Sequence, residues 1–363
     1  MLQLPDFVLA PLGVAYGAAG GARRALYRAG VLAVERVDAP VLSVGNITAG
    51  GTGKTPLVEW LARAAAREGR RVCILTRGYG RADARRRVVV SDGERVLAEA
   101  REGGDEPRLL AESLLGSRVA VVSDANRVAA ARWALENLHS EVFILDDGFQ
   151  HLRIARDLNI LTLDATDPWG GGRLLPRGRL REPLDQMKRA DLIVITRAET
   201  SGDVEALCAR AGSLSNNCPV LVARTATLRM TPLVASSVEA TAGETRKAAR
   251  MEASDLPQPL AAFCAIGNPQ AFFAHARREG LALNYTRAFS DHHAYTQRDI
   301  DECLREAARH GARALLTTTK DAVKLRALDF ALPCYVLEVA LEFDDERSMR
   351  AILNECLSRR ARL

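Results

Sequence analysis

From residue 40 to about 200 the chain alternates short, continuously apolar runs with longer stretches of helical spacing. The apolar runs are 41–45, 72–76, 119–123, 142–145, 160–163 and 192–196. Unbroken hydrophobicity, rather than in-out alternation, predicts strands covered on both faces, as in a parallel sheet. Between them, residues 55–68 and 126–138 carry the apolar periodicity of helices, and 106–115 has Pro107 in what would be its first helical turn. A second α/β unit follows, with strand-like runs at 259–267 and 334–341, helices at 269–279 and 297–310, and the mixed segment 314–325. Residues 231–258 are rich in small and polar side chains and read as a linker or insertion.

The pattern predicts an α/β fold: a mostly parallel sheet flanked by helices, a second smaller α/β lobe and an N-terminal apolar helix. The expected boundaries are 1–36 for the N-terminal helical segment, 37–215 for a nucleotide-binding lobe, 216–258 for the linker and 259–363 for the C-terminal lobe. Phe7 to Ala22 runs sixteen residues without a charge and is followed by Arg23, Arg24 and Arg28. That is short of the ~20 apolar residues a membrane span needs. The run lacks the basic leader of a secretory signal. It fits either an amphipathic helix lying on a membrane or a helix packed on the body of the protein.

Composition adds little beyond a globular class. With 50 Lys and Arg against 45 Asp and Glu, the net charge of +5 is too mild for a nucleic-acid footprint. The seven cysteines contain no Cys-x-x-Cys pair and read as reduced thiols.

The candidate chemistry is concentrated at strand ends. VGNITAGGTGKTP (44–56) follows a predicted strand and opens a helix, so Gly50, Gly51 and Gly53 let backbone N–H groups wrap a polyphosphate. Lys54 is placed to reach the β- and γ-phosphates and Thr55 to ligate Mg²⁺, which makes the expected α/β fold P-loop NTPase-like. Thr48 stands where the consensus has its first glycine. VFILDDGFQH (142–151) ends a strand in Asp146 and Asp147, of which one is expected to touch the metal. Asp105 and Glu106 sit at a helix start, where an ordinary N-cap is the competing reading. Residues 171–183 place Arg173, Arg177, Arg179 and Arg181 on a Gly/Pro-rich loop suited to an anion, or simply solvated. A carboxylate oriented by a histidine from the other lobe would supply the base that phosphoryl transfer to an alcohol needs.

Taken in order, GNITAGGTGKTP, LTRGYGR (75–81), GDEP (104–107), DDGFQH (146–151), LREP (180–183) and SDHHAY (290–295) resemble the tetraacyldisaccharide 4'-kinase family, the lipid A 4'-kinases of Gram-negative bacteria. The resemblance covers nearly the whole chain, and the family tolerates Thr at the position of Thr48. It implies ATP-dependent phosphorylation of the 4'-hydroxyl of a tetraacyldisaccharide 1-phosphate at the cytoplasmic face of the inner membrane. ATP and Mg²⁺ would be held by the loop Thr48, Ala49, Gly50, Gly51, Thr52, Gly53, Lys54 and Thr55. Asp105 would be the base, paired with His292, and Asp146, Asp147 and Gln150 would belong to the metal and phosphate shell. Glu106, Arg127 and Arg181 would contact phosphate or substrate. The resemblance also favours the membrane reading of residues 7–22, with no nucleic acid and no stable protein partner expected. It transfers no role to 231–258 or to the tail arginines at 359, 360 and 362. Two rivals are a P-loop ATPase or GTPase of the metal-insertion or partition type, and a membrane-bound nucleotide sensor without turnover.

Overall fold

The computed structural model describes residues 5–233 and 251–359. Most of the linker expected at 231–258, and the tail arginines at 360 and 362, lie outside the described residues.

In chain order the strands are β1 (Val41–Gly45), β2 (Val72–Thr76), β3 (Val88–Ser91), β4 (Val119–Ser123), β5 (Val142–Asp146), β6 (Leu158–Asp164), β7 (Leu192–Thr196), β8 (Val220–Pro232), β9 (Leu260–Cys264), β10 (Leu283–Ala288), β11 (Ala314–Thr318) and β12 (Cys334–Phe343). The helices are α1 (Asp6–Arg28), α2 (Lys54–Arg67), α3 (Ala100–Gly103), α4 (Asp105–Ser113), α5 (Arg127–Asn137), α6 (Val204–Leu214), α7 (Pro269–Arg278), α8 (Gln297–Arg309), α9 (Thr319–Leu325) and α10 (Glu346–Arg359). Every strand expected from a continuous apolar run is present.

Two compact units emerge, one from residues 1–77, 124–224 and 341–363, the other from 78–123 and 225–340. They do not follow the continuous segments expected from sequence. Residues 78–123, expected in the nucleotide-binding lobe, group with the later part of the chain, and the C-terminal helix groups with the first unit. The reason is topological: β3 and β4 form an antiparallel pair, and α4 packs on both and on α9.

In the first unit the parallel strands run in the order β8-β7-β6-β1-β5-β2. β1, β2, β5, β6 and β7 are buried at every residue, as two-sided coverage requires. α2 packs on β1, β2 and β5, and α5 on β2. Because β1, β5, β6 and β7 are parallel, their carboxyl ends share one edge of the sheet, the edge at which such folds bind ligands.

In the second unit β10-β9-β11-β12 are parallel. The segments after β10 and β11, carrying Asp291–His293 and Lys320–Lys324, therefore leave from one edge as well.

α1 is a helix along its whole apolar run, and of its residues only Gly13 is buried. Phe7 and Val14 are 79% and 73% exposed. The helix is tied to the 171–183 loop, where Arg177 Nε and Nη2 donate to the Asp6 carboxylate at 2.9 and 2.8 Å. Arg24 pairs with Glu182 at 3.3 Å. No helix among the described residues is long and apolar enough to cross a membrane.

Candidate active site

The loop from β1 to α2 is shaped by bonds to its neighbours. Arg181 N–H donates to the Ile47 carbonyl (2.7 Å) and Ala49 N–H to the Arg179 carbonyl (2.6 Å), so Thr48 pairs antiparallel with Leu180. That pairing explains why a β-branched residue serves where the consensus has glycine: Thr48 is buried in an isolated bridge to Leu180 and needs no left-handed backbone. Gly53 does need it. With φ 73° it is the N-cap of α2 and leaves the helix uncapped by any side chain of its own. The partial positive charge of that N-terminus is thereby left for an anion.

The far side of the loop is braced from β6 and β7. Thr52 Oγ1 lies 3.0 Å from Thr162 Oγ1, and Thr196 Oγ1 donates to the Thr52 carbonyl at 2.9 Å. Arg197 donates to the Gly51 carbonyl at 2.8 Å while pairing with Asp164. Gln150 Nε2 donates to the Asn46 carbonyl at 2.8 Å, so this residue supports the start of the loop.

β5 ends at Asp146, which is buried and in register with Val44 of β1. Asp147 then turns left-handed, with φ 51°, so strand alternation does not set its direction. Its ion pairs do: Arg181 Nη1 meets its two oxygens at 2.9 and 2.7 Å, and Lys54 Nζ lies 3.5 Å away. Burial works to raise the Asp147 pKa, but the Lys54 and Arg181 charges prevail and hold the carboxyl below its usual range. The arginine loop, expected either to suit an anion or to be solvated, has three of its arginines in ion pairs: Arg177 takes Asp6, Arg179 takes Asp167 and Arg181 takes Asp147.

Arg127 opens α5, is buried, and donates to the Ala125 carbonyl at 3.3 Å. Its charge also bears on His151, whose pKa is lowered to about 3 by burial first and then by Arg127, Arg156, Arg23 and Arg153. His151 Nε2 is buried without a hydrogen-bond partner. In the unfolded chain this histidine binds a proton near pH 6.5, and in the fold only near 3, so the unfolded state gains protons as the pH falls between those values. Its contribution to stability is therefore full above pH 6.5 and declines on acidification. We expect His151→Gln to flatten the fall in denaturant midpoint between pH 6.5 and 4 relative to wild type; parallel curves would refute this.

The second unit assembles the other candidates. Gly104, with φ 104°, caps α4 without a side chain, and Asp105 is the first helical residue. Its carboxylate is thus not spent as an N-cap. Asp105 Oδ2 lies 3.0 Å from Lys324 Nζ and 3.6 Å from His292 Nδ1. Burial raises the Asp105 pKa, while His292 and Lys324 lower it, leaving the carboxyl below its ordinary value and ionised at neutral pH. His292 is left-handed (φ 62°), with its N–H donated to Asp291 Oδ1 at 3.0 Å. His293 is engaged elsewhere, stacked on Phe289 with ring centroids 4.8 Å apart and 3.2 Å from Asp299 Oδ2. Glu106 Oε1 accepts from Lys320 Nζ at 3.0 Å, and Lys320 also meets Asp291 at 3.1 Å.

Sequence reasoning singled out neither lysine, nor Arg197 and the threonines that brace the loop. The spacing of Lys320 and Lys324, four apart just beyond a strand end, was the available signal.

A glycine-rich loop uncapped at a helix N-terminus, a lysine on its first turn and acids at the next strand's end define a P-loop nucleotide-binding protein. The comparisons narrow the class. The family model described as LpxK, tetraacyldisaccharide-1-P 4'-kinase, matches residues 5–358. A tetraacyldisaccharide 4'-kinase of Geobacter sulfurreducens is 40% identical, covering 98% of this chain and 94% of that one. One of Desulfotalea psychrophila is 36% identical, covering 96% of each. The crystal structure of an "apo" form of LpxK from Aquifex aeolicus in complex with ATP superposes with a TM-score of 0.72 at 30% identity, covering 97% of this chain and 99% of that one. The chain belongs to the tetraacyldisaccharide 4'-kinase family.

Proposed function

We propose that the protein phosphorylates the 4'-hydroxyl of a tetraacyldisaccharide 1-phosphate using ATP, with Asp105 as the base. The enzyme is a kinase of lipid A biosynthesis. One observation carries the assignment of the base: an ionised Asp105 beside His292, in a chain matching the kinase family from residue 5 to 358. A nucleotide sensor needs no such pair, and the full-length kinase relatives favour neither that rival nor a hydrolase.

The donor set fits ATP with Mg²⁺. Gly50 to Thr55 supply the loop and helix N-terminus for phosphate, and the Thr55 hydroxyl with the buried Asp146 carboxylate offers the hard oxygen ligands Mg²⁺ takes. Asp147 would complete this shell while holding Lys54 and Arg181 in place. When bound, the ion would neutralise charge on the β- and γ-phosphate oxygens. Lys54 and Arg181 hold positive charge where the transferring group develops negative charge. Asp105 accepts the acceptor hydroxyl's proton on its carboxylate, and His292 orients that carboxylate. The test is acceptor dependence: ADP release should rise on adding tetraacyldisaccharide 1-phosphate, and release that ignores the lipid would overturn the reading.

The substrate is a lipid, and α1 offers the means of meeting it at the inner membrane's cytoplasmic face. Phe7, Leu12, Val14 and Tyr16 are exposed apolar side chains ahead of Arg23, Arg24 and Arg28. A helix with an apolar surface and flanking cations binds anionic interfaces without spanning them. Deleting residues 1–30 should abolish most co-sedimentation with anionic vesicles while leaving ATP affinity within about twofold. Full co-sedimentation of the truncated protein would contradict the anchoring role.

A further inference from the structure

Lys320 and Lys324 lie one helical turn apart on α9, so their side chains leave the same face. The helix that carries them is fixed at its start. Fully buried Asp321 accepts the Ala265 N–H at 3.2 and 3.1 Å and the Thr318 hydroxyl at 2.7 Å, joining α9 to the segment after β9.

The two ammonium groups reach different atoms of the same pair. Lys324 Nζ is 3.0 Å from Asp105 Oδ2 and donates to the His293 carbonyl at 3.3 Å. Lys320 Nζ joins Glu106 and Asp291 and lies 3.4 Å from His292 Nε2. An ammonium has three donors and no acceptor, so His292 Nε2 can face it only as a lone pair. In a neutral imidazole the proton is then on Nδ1, the nitrogen that faces Asp105 Oδ2 at 3.6 Å.

We infer that Lys320 sets the Nδ1–H tautomer of His292, and that Lys320 and Lys324 together are positioning residues that hold imidazole and carboxylate in register. The inference rests on the Asp105–His292 reading and deepens it. A competing account makes the lysines mere staples between α4 and α9, as Arg326 is through its pair with Glu112. That pair does not reach the imidazole, which makes it a control.

The experiment is long-range ¹H–¹⁵N correlation on full-length protein labelled at histidine, at about pH 8, where an ordinary histidine is neutral. The His292 signals are assigned by their loss in His292→Gln. Wild type should show Nδ1 protonated and Nε2 bare. Lys320→Met should populate the Nε2–H form and lower kcat about tenfold or more, with the KM for ATP changed less than twofold. Lys320→Arg should keep the wild-type tautomer, and Arg326→Ala should change neither tautomer nor kcat. An Nε2–H tautomer in wild type, an unaltered tautomer in Lys320→Met, or an equal shift in Arg326→Ala would each overturn the inference. The tautomer is read without substrate, so a wild type that fails to phosphorylate the lipid would count against the proposed function and not against this assignment.

Discussion

Asp105→Ala is expected to lower kcat by at least about 10², the range general-base catalysis contributes, with little change in ATP affinity. The carboxylate is half-buried beside the Lys324 ammonium and the His292 imidazole, so it is ionised well below neutral pH and is always ready to take a proton. Lys324 and His292 make it available at the cost of basicity, which fits a base that accepts a proton as the nucleophile's bond to phosphorus forms. Asp105→Asn separates shape from charge. It retains the side chain's size and should be nearly as slow as alanine. Single-turnover kinetics with saturating ATP checks both variants, and turnover within a few-fold of wild type would remove Asp105 from the chemistry.

Lys54→Met is expected to cost about 10² to 10³ in kcat, the loss typical of removing a charge-stabilising donor from a transition state. The KM for ATP should rise as well, because the lysine sits on the first turn of α2 beside an uncapped helix N-terminus. The same substitution strips Asp147 of one of its two cations, leaving Arg181 alone to hold a half-buried carboxylate. Lys54→Arg should not rescue the activity, since a planar fork replaces a point charge at the end of a stem of different length. Nucleotide titration alongside steady-state rates checks this, and a variant with wild-type kcat and KM would contradict the role.

The core of the first unit was legible because its strands are buried on both faces, and the residues at β1, β2, β5 and β7 announce this as unbroken apolar runs. β10 was not, since LNYTRA lies half-exposed and alternates polar with apolar side chains. Nor was the grouping of 78–123 with the later chain, because nothing in a linear pattern states that α4 will pack on α9, more than two hundred residues away. The P-loop was legible from glycines whose purpose is local backbone geometry. The ion pairs of Arg177, Arg179 and Arg181 were hidden for the opposite reason: their partners Asp6, Asp167 and Asp147 lie outside the loop, and only the fold brings them in. Lys320 and Lys324 belong to the same class, being unremarkable in sequence and meeting Asp105, Glu106 and His292 only through tertiary contact.

Phosphoryl transfer to a lipid sugar hydroxyl is decided by following the label. The protein is incubated with γ-labelled ATP, Mg²⁺ and tetraacyldisaccharide 1-phosphate in mixed micelles, and the products are separated into lipid and aqueous fractions. Label should appear in the lipid, as a new phosphate monoester at the 4' position by ³¹P and proton NMR. Label recovered as free phosphate while the lipid stays unlabelled would contradict it.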